Sequence, residues 1–534
     1  MERAVTGLRW HPGDASPAYL PMEIAAAARS PRSTAHVLRR SIDGARGLGT
    51  GGHVAAGDHD GHEVLGTLPP LFPEWLGDPG FAAAHDVRFP YIAGEMANGI
   101  AGTRLVIAMA RADMLGFLGA GGMSLPALER AVAELSNTLA GRTNWGVNLL
   151  HAPNEPGHED RVVDLLQQYR VPKVSASAFM DLTPAVVRCA VAGLSLDGSG
   201  AVLRRTHLFA KVSRPEVAEK FMSPAPADLL RLLVEQGAVT ADEARLAERV
   251  PLATDITVEG DSGGHTDNRP LTVVLPAVLA LRENLARRHG HQERIRVGAA
   301  GGLGDPAGVA AAFACGADYV VTGTINQLSV EAELSQPAKD LLAGADLADV
   351  AMAPAGDMFE YGVKVQVLRR GTLYPTRAAL LYDAYRAHEN LEALPAELRA
   401  RIERELLRCS VDEAWEQTRA FWQDRDAGQV ARAQTDGRHR MALVFRSYLG
   451  RAVRWAIDGE PGREADYQVW CGPAIGAFNR WIAGSPLADP ANRTVAHIAL
   501  NLLEGAAVAT RAQQLRSYGI PVPRTGLHLP CHIS

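Results

Sequence analysis

Two glycine-rich segments carry the first chemical signal in this chain of 534 residues. GAAGGLGDP (298–306) holds Gly301, Gly302 and Gly304, and TGTINQ (322–327) holds Gly323 and Thr324. Backbone without a Cβ approaches a ligand closely and presents N–H groups to it. A helix start expected near Asp305 adds a dipole that favours an anion. Two such loops facing one another would hold a phosphate. A third segment, EGDSGGHTDNRP (259–270), carries His265, a side chain suited to donating a proton or polarising a carbonyl near neutral pH. GDSGG also matches the serine-nucleophile signature of trypsin-like proteases. Those are disulfide-rich secreted β-barrels, whereas the context here is strand, loop and helix. The segment therefore reads as a bend presenting His265. AGEMANG (93–99), with Gly94 and Met96, is a run of small residues and methionine that can lie flat against a planar ring. Asn148 places an amide in an apolar run. Lys211 is one of five lysines beside 49 arginines; a cation there could stabilise an electron-rich ring, the plain alternative being an ion pair with a neighbouring carboxylate.

Other candidates are weaker. His53, His59 and His62 lie near two aspartates, but in no standard metal motif. Cys471, in WCGPAIGAF, is more simply a small packed residue than a reactive thiol. The five cysteines are widely spaced and form no CxxC, which argues against a disulfide framework or a structural zinc.

The elements that must position these residues form a regular series. Short β-forming apolar runs fall at 88–94, 114–121, 144–150, 173–178, 207–212, 255–260, 296–301 and 318–323, and helical periods lie between them. Eight nearly uniform apolar strands, each followed by a helix, predict an α/β fold: a (β/α)8 TIM barrel whose strands are covered on both faces. Such a barrel carries its site at the C-terminal ends of its strands and holds phosphate after strands seven and eight, where the two glycine loops fall. The expected organisation is an irregular N-terminal strap over 1–85, the barrel over 86–375 with a helical insertion at 221–250, and a mostly helical region over 376–534 packing on it. The first segment, rich in Gly, Asp and His around 47–66, reads as loops and short hairpins. The formal charge of -6 and pI near 6.3 give no basic field for nucleic acid or an anionic membrane. No run of 18 apolar residues and no signal-peptide pattern occur, so the expected compartment is the cytoplasm.

The motifs PYIAGEMANGIAG, WGVNLLHAPNEP, KVSASAFMDLTPAVVR, AKVSRPEVAEKFM, ITVEGDSGGHTDNRPL, VGAAGGLGDPAGVAAAF and VTGTINQLSVEA together resemble the PfaD-type proteins. These are trans-acting enoyl reductases of polyketide and polyunsaturated fatty acid synthases. LPPLFPEWLGD upstream, and MAPAGDMFEYGVKVQVLRRGTLYPTRA, HRMALVFRSYLG, YQVWCGPAIGAFNRWI and NLLEGAAVATRAQQLR downstream, extend the likeness over roughly 68–518. More distantly the barrel is similar to FabK-type enoyl reductases and nitronate monooxygenases. The resemblance implies bound FMN, NADPH as hydride donor, and an enoyl thioester on an acyl carrier protein as substrate. It carries FMN contacts onto Gly94, Met96, Asn148, Lys211, Gly301, Gly302, Gly323 and Thr324, and the catalytic-site histidine onto His265. Glu95 departs from the small residue expected in the flavin-facing turn. Arg399, Arg401 and Arg404 are candidate contacts to an acidic carrier protein, with solvated helix charges as the plain alternative. Rival readings are a nitronate-monooxygenase-like oxidase, a non-catalytic scaffold of a synthase, and an FMN-free lyase or isomerase of sugar phosphates. The oligomeric state is open, a homodimer being one option.

Overall fold

The computed structural model describes residues 7–57, 60–153, 155, 157–523 and 529–531. Five strands come first: β1 (Leu8–His11), β2 (Ala35–Arg39), β3 (Arg46–Thr50), β4 (His53–Ala56) and β5 (His62–Leu68). They form an antiparallel sheet in the order β3-β2-β5-β1-β4. The N-terminal segment is thus a sheet, not the irregular strap expected. Its strands are four to seven residues long, and β4 and β5 are half-exposed throughout most of their length, so no apolar alternation marks them.

Eight parallel strands then close the barrel: β6 (Tyr91–Ala93), β7 (Leu115–Leu118), β8 (Trp145–Leu150), β9 (Lys173–Ser177), β12 (His207–Val212), β13 (Asp255–Glu259), β15 (Arg296–Ala300) and β16 (Val320–Thr322). A hairpin, β10 (Ser195–Leu196) with β11 (Val202–Leu203), and a short strand β14 (Gly264–His265) lie in the connecting loops. The eight runs expected from the sequence all fall on these barrel strands. The period of two inside a strand turns alternate residues inward. Large rings interdigitate with glycines there: a Cβ on Gly298 would lie 2.2 Å from the Tyr319 ring, and one on Gly146 2.3 Å from Phe117.

The bottom of the barrel is plugged by the helix Pro79–His85. Asp78 caps it by accepting from Gly80 N at 2.5 Å, and Phe81 stacks on Tyr319. His85 Nε2 lies 3.0 Å from Asp255 Oδ1, and Arg296 forks onto the same carboxylate at 2.6 and 2.9 Å. Burial alone would raise the Asp255 carboxyl, but His85 and Arg296 outweigh it and hold the group ionised. Burial lowers the His85 pKa against the raising effect of Asp255, and among the described residues its Nδ1 has no hydrogen-bond partner. An Asp255→Ala variant strands the Arg296 charge inside the barrel. It is expected to lose about 3–5 kcal/mol of stability, measured as a lowered midpoint of urea unfolding.

The chain's last long helix, Val495–Ser517, packs against both Pro306–Ala314, which follows the seventh barrel strand, and Thr103–Arg111, which follows the first. That is the place of the barrel's eighth helix, and Ile498, Leu502 and Ala506 join the barrel core. The C-terminal region therefore does not simply pack on a finished barrel. Residues 329–494 stand as an insertion between the eighth strand and the eighth helix, and the last helix completes the ring. The insertion includes a hairpin, β17 (Val350–Pro354) and β18 (Lys364–Leu368), and the central helix Gly437–Asp458. Met441 to Phe445 of that helix are buried in succession, so this stretch is enclosed on all sides. The far end of the closing helix meets the N-terminal sheet, where the buried Arg511 guanidinium donates to the carbonyls of Pro31, Leu68 and Pro69. No helix among the described residues is long and apolar enough to cross a membrane.

Candidate functional site

A cavity of about 1220 Å³ opens at the C-terminal ends of the strands and is roofed by the insertion. Gly94, Met96, Asn148, Lys211, His265, Gly301, Gly302, Gly323 and Thr324, spread over more than 230 positions of sequence, all line it.

The glycine loops follow β15 and β16. Gly301 and Gly302 adopt φ of +85° and +72°, conformations that disfavour a side chain. Among the described residues, the N–H groups of Gly301, Gly302, Gly323 and Thr324 donate no hydrogen bond within the protein. Orphaned donors facing a cavity fit an anionic oxygen group, such as the phosphate of FMN. Gly304 differs from expectation. A Cβ there would strike the carbonyl oxygen of Ala474 at 2.1 Å, so this glycine serves packing against the insertion, not a ligand. Asp305 caps the following helix, accepting from Gly308 N at 2.7 Å.

On the barrel floor, Gly94 N donates to Thr322 O at 2.9 Å. A Cβ at Gly119 would meet Met96 O at 1.8 Å, so the loops after β6 and β7 are in direct backbone contact. Glu95 does not intrude on this turn. Its carboxylate reaches Lys211 Nζ at 3.2 Å and accepts from Ser175 Oγ at 3.1 Å. Lys211 also lies 3.5 Å from Glu259. Burial works against the ammonium, but Glu259 and Glu95 outweigh it and keep it protonated. Burial, with Glu95 adding to it, raises the Glu259 carboxyl above its ordinary range. Lys211 is thus ion-paired, as the plain alternative had it, and it also lines the cavity. Asn148 Nδ2 donates to Ser175 O and Ser177 Oγ, both at 2.8 Å, so its remaining polar atom is the carbonyl oxygen.

His265 sits on β14, which pairs with β18 of the insertion, opposite Val365. Its Nε2 lies 3.2 Å from Asp357 Oδ2, and the side chain is 36% exposed. Asp357 belongs to the turn between β17 and β18. Burial pulls the imidazole pKa down, but Asp357, helped by Glu259, outweighs it and raises it. Asp357→Asn removes the raising charge. If protonated His265 serves the reaction, the rate falls as pH rises through its pKa, and this limb is expected to move to lower pH in the variant; the pH profile of kcat checks it.

Two partners lie outside what the sequence singles out: Glu259 as an ion-pair partner, and Asp357 altogether. The period of two from Thr257 along β13 marks Glu259 as inward-facing. Asp357 is 92 positions from His265 and on another element, so no spacing signals it.

GDSGG is a packing bend: a Cβ on Gly263 would meet Cys471 N at 2.8 Å. Cys471 is fully buried, and burial pushes its thiol pKa up, as a packed residue requires. The described cysteines are all free. His53 lies on β4 and His62 on β5, while His59 lies outside the described residues; no group of three metal-ligating side chains occurs among those described. Arg399 pairs with Glu403 and Asp412 at 3.2 Å, Arg401 with Glu405 at 3.2 Å and Arg404 with Glu405 at 2.9 Å. That is the ordinary state of a solvated helical face.

The sequence model of the nitronate monooxygenase family matches residues 80–407. That of the [acyl-carrier-protein] S-malonyltransferase inserted helical domain matches residues 388–467, inside the insertion. Polyketide biosynthesis protein PksE of Bacillus subtilis is 40% identical over 445 residues, covering 83% of this chain and 58% of PksE. A polyunsaturated fatty acid synthase polypeptide of Thraustochytrium is 43% identical over 450 residues, covering 83% of this chain and 30% of that polypeptide. The chain thus spans less than two thirds of these relatives. The crystal structure of the enoyl reductase domain of MlnA, from the macrolactin biosynthesis cluster of Bacillus amyloliquefaciens, superposes with a TM-score of 0.79 and 33% identity, covering 83% of this chain and 99% of that one. A match over more than half of the chain, together with one-third identity across nearly the whole of a solved enoyl reductase domain, shows that the chain belongs to the nitronate monooxygenase family and, within it, to the PfaD-like enoyl reductases.

Proposed function

We propose that the chain is an FMN-dependent enoyl reductase acting in trans. It takes NADPH as hydride donor and reduces the α,β double bond of enoyl thioesters carried by an acyl carrier protein of a polyketide or polyunsaturated fatty acid synthase. The observation that carries this reading is the sharing of one cavity by the free N–H groups of the two glycine loops and the His265–Asp357 pair. FMN bound there would supply the hydride chemistry, a role proteins leave to cofactors.

The chain's own residues would do the rest. Gly301, Gly302, Gly323 and Thr324 would hold the phosphate through backbone N–H groups. The Gly94–Met96 turn would form the floor under the ring, with Lys211 held charged beside it by Glu95 and Glu259. Hydride addition to the β-carbon leaves negative charge toward the thioester oxygen and a proton to be placed on the α-carbon. His265, its pKa raised by Asp357, would supply that proton or the hydrogen bond that stabilises the charge. A cavity of about 1220 Å³ leaves room for an acyl thioester beside a flavin, more than a small nitronate needs.

The test is an absorption spectrum of the purified protein followed by anaerobic NADPH. Flavin bands that bleach with NADPH and return on adding a crotonyl thioester support the reading. Bands that return only with oxygen would favour the oxidase, and a colourless protein that takes up no FMN would overturn the cofactor.

A further inference from the structure

The chain carries a net charge of -6, yet the cavity wall is positive, with seven Lys and Arg side chains facing five carboxylates. Four of the cations are neutralised where they stand. Lys211 has Glu95 and Glu259, Arg214 has Asp267, Arg425 has Glu155, and Arg446 has Glu360. The other three are Lys364, Arg451 and Arg454, and among the described residues none has a carboxylate partner. Arg451 donates only to the neutral amide oxygen of Gln417, at 2.8 Å. All three are exposed.

They also come from one side of the cavity. Arg451 and Arg454 are one turn apart on the insertion's central helix, and so share a face. Lys364 begins β18, paired with Pro354 at the turn end of the β17–β18 hairpin. The turn of that hairpin lies along the same helix: Arg446 Nε donates to Gly356 O at 3.0 Å, and a Cβ on Gly356 would meet Leu449 Cβ at 3.2 Å. Arg399, Arg401 and Arg404 on the insertion's outer helix, by contrast, are paired with acidic residues on their own surface. These three unpaired cations thus stand where a ligand enters, on elements other than the glycine loops of the barrel.

We infer that Lys364, Arg451 and Arg454 form a second anion subsite, which takes a phosphate ester of a molecule entering the cavity. The identity of that molecule rests on the enoyl reductase reading. It is either the phosphopantetheine arm of the carrier-bound substrate or the phosphorylated dinucleotide. Each presents a phosphate several bonds away from its reacting atom, as a rim site requires, and a guanidinium pair suits such a group.

The test uses the full-length, flavin-loaded protein and two variants, Arg451→Gln/Arg454→Gln and Lys364→Gln. Arg401→Gln/Arg404→Gln on the outer face is the control. Binding of 4′-phosphopantetheine, pantetheine and NADPH is measured by calorimetry, which needs no turnover. The expected result is a loss of about tenfold to a hundredfold in affinity for a phosphate-bearing probe in the double variant. Pantetheine binding and the control should be unchanged. A loss confined to phosphopantetheine assigns the substrate arm, and one confined to NADPH assigns the dinucleotide. Wild-type affinity of the double variant for both probes, or no binding of either by the wild-type protein, overturns the subsite. Phosphate-dependent binding by a protein that reduces no crotonyl thioester would instead overturn the enoyl reductase reading and leave the subsite standing.

Discussion

His265→Ala is expected to lower the rate of enoyl thioester reduction by about 10²- to 10⁴-fold, the range for loss of a general acid, with flavin content unchanged. The two halves of that expectation have separate causes. The imidazole is on the cavity side, 36% exposed, and its fixed position comes from backbone pairing of β14 with β18, which alanine keeps. The phosphate-sized cradle is built from other loops, after β15 and β16. Stopped-flow measurement should therefore find flavin reduction by NADPH near the wild-type rate and only the subsequent reoxidation by crotonyl thioester slowed. Loss of flavin on purification would make His265 a structural residue. Equal slowing of both half-reactions would place it in dinucleotide binding instead.

His265 and Asp357 differ in how far the sequence reveals them. A barrel strand covered on both faces is an apolar run, so eight runs could be read without tertiary information. Each barrel strand ends at the mouth, so a polar or glycine-rich segment just after a run could be assigned to the site. His265 and the glycine loops were legible in that way, and Asn148 and Lys211 as polar side chains within the runs. Asp357 was not, because it reaches the mouth through an insertion whose hairpin pairs with a loop strand of only two residues. The N-terminal sheet escaped for a different reason. Its strands are short and partly wet, so burial writes no pattern into them. The eighth barrel helix escaped because helical period is the same whether a helix lies in an insertion or in the ring. Only its contacts with Pro306–Ala314 and Thr103–Arg111 distinguish the two. The ion pairs of Lys211 depend on which strands are neighbours: β12 pairs with β13, which brings Glu259 beside it, while Glu95 arrives from the loop after β6.

Gly323→Val should abolish measurable flavin binding, with an affinity loss of at least about 100-fold, as expected when several charge-assisted hydrogen bonds to one phosphate are blocked together. This position separates ligand space from protein space better than the neighbouring glycines do. Gly301 and Gly302 have positive φ, so any side chain there strains the backbone, and a Cβ on Gly301 would also press on Gly260 at 2.8 Å. Gly304 is held against Ala474. Gly323 has φ of -124°, outside the left-handed region, and a Cβ there meets nothing within 4 Å. No protein atom crowds a side chain there, and valine's methyl groups would occupy the space the phosphate would use. In flavin-free protein the Tm of the variant should match the wild type. Added FMN should raise the wild-type Tm and leave the variant's unmoved, because only a ligand that binds the folded state stabilises it. A variant that still gains stability from FMN would move the phosphate away from the loop after β16. A variant that loses stability without FMN would show that the open volume beside Gly323 is needed by the fold itself.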